Sequence, residues 1–208
     1  MRIDIWLCSF NIQLRILRMN KKRQSKPRLT RQDWIDAAIE QLVKQGIGAV
    51  GIEPLAARLG VTRGSFYHHF ADREELLRAM LDYWEDHWSR SIRQEIAGLG
   101  LDPSTTLFAL MKAIRNHRAA EHDAPFRAWA LHDPLARAVV QQVDEARLGF
   151  IRSQFDALGF ADLDAENRAR LFLYYEMAAP ATFAGPSPER DEELLEERHR
   201  FLTNHRIG

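Results

Sequence analysis

The sequence predicts an all-α chain, and three observations carry that reading. Apolar residues recur at helical spacing in one segment after another from residue 30 onward. The breaks between these segments fall at Gly or Pro, the usual punctuation of helix ends. Beyond residue 18 no stretch alternates apolar and polar residues as a half-buried strand would. With 208 residues and 46% hydrophobic content, the chain can bury one small and one medium core. It holds no internal repeat and no low-complexity tract.

Residues 1–18 stand outside the helical pattern. Ile3, Ile5, Trp6, Leu7, Phe10, Ile12, Leu14 and Ile16 make the segment apolar, and Asn11, Gln13 and Arg15 give its second half a strand-like alternation. Asp4 sits where a signal peptide would be basic, and no small-x-small cleavage site follows. The segment therefore reads as an upstream extension, with Met19 as the functional start; a native mass beginning at Met1 would count against this. The stretch Asn20–Arg31 holds Lys21, Lys22, Arg23, Lys26, Arg28 and Arg31 with no acid. Such a run is ordinarily a solvated lead-in. In front of a DNA-binding helix it predicts instead a basic arm without fixed structure that reaches phosphates or the minor groove.

Thr30 precedes the first helix, whose apolar positions Ile35, Ala38, Ile39, Leu42 and Val43 keep helical spacing up to Gln45-Gly46. A short second helix carries Leu55 and Leu59 at i, i+4, with Glu53 and Pro54 in its first turn. Gly60 follows where a helix ends in a left-handed residue, and Val61 can drop beneath the turn. Thr62 offers an N-cap oxygen to a third helix of two turns. On a wheel at about 100° per residue, Phe66 and Phe70 of that helix fall on one side. Gly64, Tyr67 and His68 fall on the other, with Arg63 and Ser65 at the edges. Apolar residues spent on docking and a face of donors turned outward form the layout of a helix that enters a major groove.

At these residues the sequence resembles the TetR family of bacterial transcriptional regulators. The matching run is Val61 to Leu77, Val-Thr-Arg-Gly-Ser-Phe-Tyr-His-His-Phe-Ala-Asp-Arg-Glu-Glu-Leu-Leu, with the Tyr67-x-His69-Phe70 core as its specific part. Arg73 stands where the family usually has lysine, and both bind phosphate. The recognisable portion runs roughly from Thr30 to Leu77. The resemblance implies an N-terminal three-helix helix-turn-helix domain followed by an α-helical ligand-binding and dimerisation domain. The expected divisions are 1–26 for the extension and arm, 27–75 for the DNA-binding domain and 76–208 for the body. It also implies that Arg63, Gly64 and Tyr67 reach base edges, while Ser65, His68, His69 and Arg73 reach phosphates or support that contact. Thr62, with Lys26 and Arg28 from the arm, completes the expected DNA contacts. The chemistry agrees: Arg bridges the O6/N7 edge of guanine, glycine lets the helix approach closely, and tyrosine offers a ring to a thymine methyl and a hydroxyl to phosphate. A half-buried Tyr67 closing the small core is the competing reading.

Charge fits a two-ended molecule. Net charge is zero, but residues 1–75 carry 13 Lys+Arg against 8 Asp+Glu, and the remainder 16 against 21. A basic front on an acidic back is expected when one end faces phosphates. The single cysteine, Cys8, excludes an internal disulfide framework and fits a cytoplasmic protein. No apolar run approaches the roughly 20 residues of a membrane span.

Asp72 opens the next helix, with Glu74 and Glu75 in its first turn and Leu76, Leu77, Met80, Leu81, Trp84 and Trp88 along it to about Ile96. It is the natural lever between head and body. Further helices are expected at Ser104–His117, Glu121–His132, Pro134–Leu158, Asp164–Phe183 and Glu189–Leu202, with Gly98–Pro103 as a linker. The run Phe126 to Pro134 also resembles the bodies of many TetR-like regulators. Phe108, Met111, Trp129, Phe155, Tyr174 and Tyr175, with His117 and His132 as polar anchors, are the expected lining of a site for an apolar or aromatic effector. An ordinary core uses the same residue types. The last two helices are the expected dimer surface, with Leu171, Leu194, Leu195 and Phe201 supplying area and Ala178 allowing close approach. Duplicated heads require a palindromic double-stranded operator.

Neither a cofactor nor a metal is expected. His68 and His69 are adjacent, so they point about 100° apart on a helix, and no third ligand lies near them in sequence. An enzyme is the competing class, but Asp123, His122, His132 and Glu176 lack a catalytic spacing. No Glu-x-x-His pair, Gly-rich phosphate loop or Gly-x-Ser-x-Gly elbow occurs. A helix-turn-helix protein that recruits a partner without sensing a small molecule is the third reading.

Overall fold

The computed structural model describes residues 29–177 and 187–204. The strand-like alternation, the Met19 start, Lys26, Arg28 and Ala178 lie outside the described residues. The chain divides at Thr30, and the part from Arg31 onward forms one compact unit. Among the described residues all regular structure is helical.

Helix α1 is Arg31–Gln45, and Gly46 ends it with φ of 78°. Its buried stripe is Trp34, Ile35, Ala37, Ala38, Gln41 and Leu42. Val43, expected inside, is 54% exposed. The stripe is rotated because the Trp34 indole meets the Phe66 ring edge-on, centroids 5.3 Å apart, and this largest side chain takes the core position. A short 3-10 turn, Ile47–Ala49, leads to α2, Ile52–Leu59. Helix α3 is Arg63–Phe66, and α4 is Arg73–Glu85. The Asp72 side chain caps α4 by accepting from Glu75 N at 2.8 Å, while Glu75 reaches back to accept from Ala71 N at 2.7 Å.

The expected lever does run on, but not as one regular helix. Asp86–Arg90 winds as a wider π turn before α5, Ser91–Gly98. Then follow α6 (Pro103–Asn116), α7 (Ala119–Ala130), α8 (Pro134–Ala157), α9 (Asp162–Met177) and α10 (Pro188–Thr203). Three of these share one start signal: Asp102, Asp133 and Ser187 each cap the helix and precede a proline. The side chain accepts an orphan N–H, and Pro at the first helical position has none to lose. The body core is Ile92 and Ile96 of α5, Leu107 and Met111 of α6, Ile151 and Phe155 of α8, Phe172 of α9 and Leu195 of α10. No described helix is long and apolar enough to cross a membrane.

Candidate nucleic-acid interface

The turn between α2 and α3 closes as the glycine predicts. Gly60 is left-handed at φ 66°, ψ 36°, a conformation that costs a residue with a Cβ. Its N–H reaches Ala57 O at 3.2 Å, and Val61 N reaches Ala56 O at 3.0 Å, so the last carbonyls of α2 are satisfied. Thr62 does sit at the N-cap with extended backbone, but its side chain makes no cap bond. Instead its carbonyl accepts from Ser65 N at 3.0 Å. The expected two-turn helix is one turn of α3 continued by a looser turn, in which Phe70 N still reaches Phe66 O at 3.1 Å.

That extra bond keeps Phe66 and Phe70 in register. Both are buried, their rings stacked at 5.2 Å, with the Trp34 indole edge-on to Phe66. The opposite side faces solvent. Thr62, Arg63, Gly64 and His68 are exposed, Ser65 and His69 are half-buried, and Tyr67 is 47% exposed. The Tyr67 ring leans edge-on on Phe66 at 5.4 Å, with its hydroxyl outward. Arg63 donates from Nη2 to that hydroxyl at 3.0 Å and pairs through Nη1 with Glu53 Oε1 at 3.0 Å. A Cβ built on Gly64 would meet nothing nearer than Thr62 Oγ1 at 3.7 Å. Nothing inside the chain demands a glycine there.

Arg73 is placed differently from the others. Its Nε donates to Val50 O at 2.7 Å and its Nη2 to Ile47 O at 3.4 Å, so it ties the start of α4 to the carbonyls of the 3-10 turn. From the sequence Glu53 reads only as a carboxylate at a helix start. Its contact with Arg63 crosses from α2 to α3, which no spacing along the chain reveals. Among the described residues no three His, Cys, Asp or Glu side chains converge as a metal would require.

In the body, the residues expected to line an effector site are not brought together. Met111 and Phe155 are wholly inside the core, and Trp129 is buried on α7. Phe108 is half-buried beside His199, and His117 ends α6. His132 is exposed just past α7, and Tyr174 and Tyr175 are exposed on α9. Met111 and Phe155 share one core cluster against which Phe108 packs, and Trp129, His132, Tyr174 and Tyr175 are not part of it. The structure does have a narrow cleft, about 30 Å³ of free space, between α5, α6, α8, α9 and the π turn. Its walls are apolar, with Ile92, Leu110, Ile114, Ile151 and Met177 among them, and Ser89, Arg93 and Arg147 supply the polar atoms. Of the expected dimer residues, Leu171 and Phe201 are exposed and Leu194 is half-buried. Leu195 is 0% exposed, because it packs with Leu202, two turns on, into this chain's own core rather than onto an outward face.

Residues 35–80 match the family model of the bacterial regulatory proteins, tetR family. The chain is 41% identical over 63 residues to the HTH-type transcriptional regulator TtgW of Pseudomonas putida, covering 30% of this chain and 47% of TtgW. It is 29% identical over 126 residues to the HTH-type transcriptional regulator BetI of Yersinia pestis, covering 58% of this chain and 63% of BetI. Its alignment thus spans less than two thirds of either relative. A transcriptional regulator of Rhodococcus sp. Rha1 has the same fold, with a TM-score of 0.65 at 22% identity over 84% of this chain and 94% of the other. Residues 35–80 thus carry a tetR-family domain.

The body of the chain holds a buried polar group whose carboxylate reads in the sequence only as an unpaired catalytic candidate. Asp123 on α7 is 0% exposed. It accepts from Trp84 Nε1 at 2.9 Å, from Arg147 Nη1 at 2.5 Å and from Arg127 Nη2 at 3.2 Å. Arg127 is also gripped by Asp144 through two bonds of 2.7 Å, which first among its contacts holds that guanidinium above its ordinary pKa. Arg147 Nε donates to Ser89 Oγ at 3.1 Å, so the network ends on the π turn at the cleft. Asp123-Arg127 and Asp144-Arg147 sit at helical pair spacing, the only part of this arrangement visible in the sequence.

Proposed function

We propose that this chain is a one-component transcriptional regulator, acting as a repressor, that binds a palindromic operator as a homodimer and is released by a small molecule. The observation that carries the DNA-binding part is the division of one short segment. Phe66 and Phe70 are buried while Arg63, Gly64 and Tyr67 are turned to solvent. A glycine that the chain's own packing does not need is accounted for by a close approach to something outside, and a duplex backbone is such a body. Residues 27–75 are the head, 76–208 the body, and the working place is the cytoplasm. Thr62, Ser65, His68 and His69 lie beside the three base-reading residues, and Lys26 and Arg28 extend the contact along the backbone. The relatives' names, HTH-type transcriptional regulators, accord with this.

The switch follows from the lever. Helix α4 carries Leu76 and Leu77 of the head core at one end and runs into the π turn, which forms part of the cleft wall, at the other. A ligand in the cleft biases the arrangement of the π turn, α4 transmits it, and the spacing of paired heads changes. Heads that no longer match successive major grooves lose affinity.

The test is a gel shift at stated salt against the DNA flanking the protein's own gene. Arg63→Ala with Tyr67→Ala is expected to weaken operator binding about tenfold to a hundredfold and to leave weak binding to unrelated duplex unchanged. Unchanged preference for the operator in that variant would overturn the assignment.

A further inference from the structure

Resting on the reading of the body cleft as the effector site, we propose that its ligand is an amphipathic anion, an apolar chain or ring bearing one carboxylate, with Arg93 as the carboxylate's partner. Among the described residues no Asp or Glu lines the cleft, and its charged walls are Arg93 and Arg147. Arg147 is already neutralised by Asp123 and, at 3.7 Å, by Asp144. Arg93 is not. Its one described bond runs from Nε to Ser89 O on the preceding turn at 3.4 Å, at the long limit for such a bond. The acids that could have served it are taken: Glu85 and Asp86 both pair with Arg90, at 2.7 and 2.6 Å.

A half-buried guanidinium that forms no ion pair among the described residues, and feels the Glu85 carboxylate only at a distance, is an unfavourable thing to keep beside an apolar wall. Burial, and next the neighbouring Arg147, push the Arg93 pKa below its ordinary value. Both effects are relieved when a carboxylate docks between the two arginines, and neither is relieved by a neutral or cationic guest. The remaining walls, Ile92, Leu110, Ile114 and Met177, receive only apolar matter. The cleft holds only about 30 Å³ of free space, room for a water or two, so a short acyl or aryl acid enters it by parting the helices. The cation sits on α5 immediately after the π turn, so pairing it pulls on the same segment that the lever uses.

Calorimetric titration of the full chain with octanoate, 1-octanol and octylamine tests this, because the three share a chain and differ in headgroup charge. Octanoate is expected to bind at least tenfold more tightly than octanol, with octylamine weakest. Arg93→Met is expected to erase the octanoate preference, and Arg93→Lys to keep most of it. Equal binding of octanoate and octanol, or a preference that survives Arg93→Met, overturns the anion assignment and leaves the cleft as an effector site for neutral guests. Binding of none of the three overturns both readings.

Discussion

Asp123 is where a single side chain carries the most structural consequence. Its carboxylate is out of reach of water and holds three donors from α4, α7 and α8. Removing it would leave Arg147 buried without its main counter-charge, and a broken buried pair costs more than the intact pair contributes. Asp123→Ala is therefore expected to lower the unfolding free energy by about 3–5 kcal/mol, measured by urea denaturation. A loss within about 1 kcal/mol would mean that the network is solvated in the working molecule. The sequence displays the local pairs, Asp123 with Arg127 and Asp144 with Arg147. It does not display Trp84 or Ser89 as members, because they arrive from segments 39 and 58 residues away from their partners. At the head the situation is reversed. Arg63, Gly64 and Tyr67 share a face within five residues, so their common exposure is a matter of helical angle alone.

Elements begin and end on local signals, and these were mostly legible. The Asp133-Pro134 start of α8 is an example: Asp133 Oδ1 accepts from Ala136 N at 3.0 Å. That bond, first among its contacts, holds the Asp133 pKa below its ordinary 3.8. A carboxyl whose pKa is depressed by folding stabilises the fold above its unfolded value, and the contribution disappears as pH falls through the lower, folded value. Asp133→Ala is accordingly expected to cost about 1 kcal/mol at pH 7. In paired melts the gap between variant and parent should narrow below pH 4, and a gap that stays constant from pH 7 to pH 3 would count against the cap. The π turn was not legible. Asp86–Arg90 has good helix formers around it, and its widening coincides with Ser89 turning inward to Arg147, a contact set by packing.

For the molecule as a whole, the proposed second copy would cover apolar surface that the described residues leave exposed. Leu171, Tyr174 and Tyr175 on α9 and Phe201 on α10 are all more than half exposed, Phe201 at 66%. Solvent-facing aromatics on the last two helices are what a self-complementary helical interface covers. Tyr174→Glu with Phe201→Glu is expected to halve the mass found by light scattering at micromolar concentration and to weaken operator binding with it. A parent protein that is already monomeric there would remove the basis for a palindromic operator. Leu195 teaches the difference between composition and position. It has the character of an interface residue, yet it lies on the opposite side of α10 from Phe201. In the sequence Leu194, Leu195, Phe201 and Leu202 read as one side of the helix; packing divides them, burying Leu195 and Leu202 and leaving Phe201 exposed.

By itself the sequence determined the all-helical class, the helix starts marked by capping side chains and prolines, and the short segment whose rings dock and whose donors face out. These are decided within one or two turns of backbone, where covalent geometry and hydrogen-bond accounting leave few choices. Only the tertiary structure decided which residues wall the cleft, that Arg147 is neutralised and Arg93 is not, and that Leu195 belongs to the interior. Those outcomes depend on how helices distant in sequence rotate and approach to fill space, and the lowest-energy packing of many side chains is not a property of any one segment.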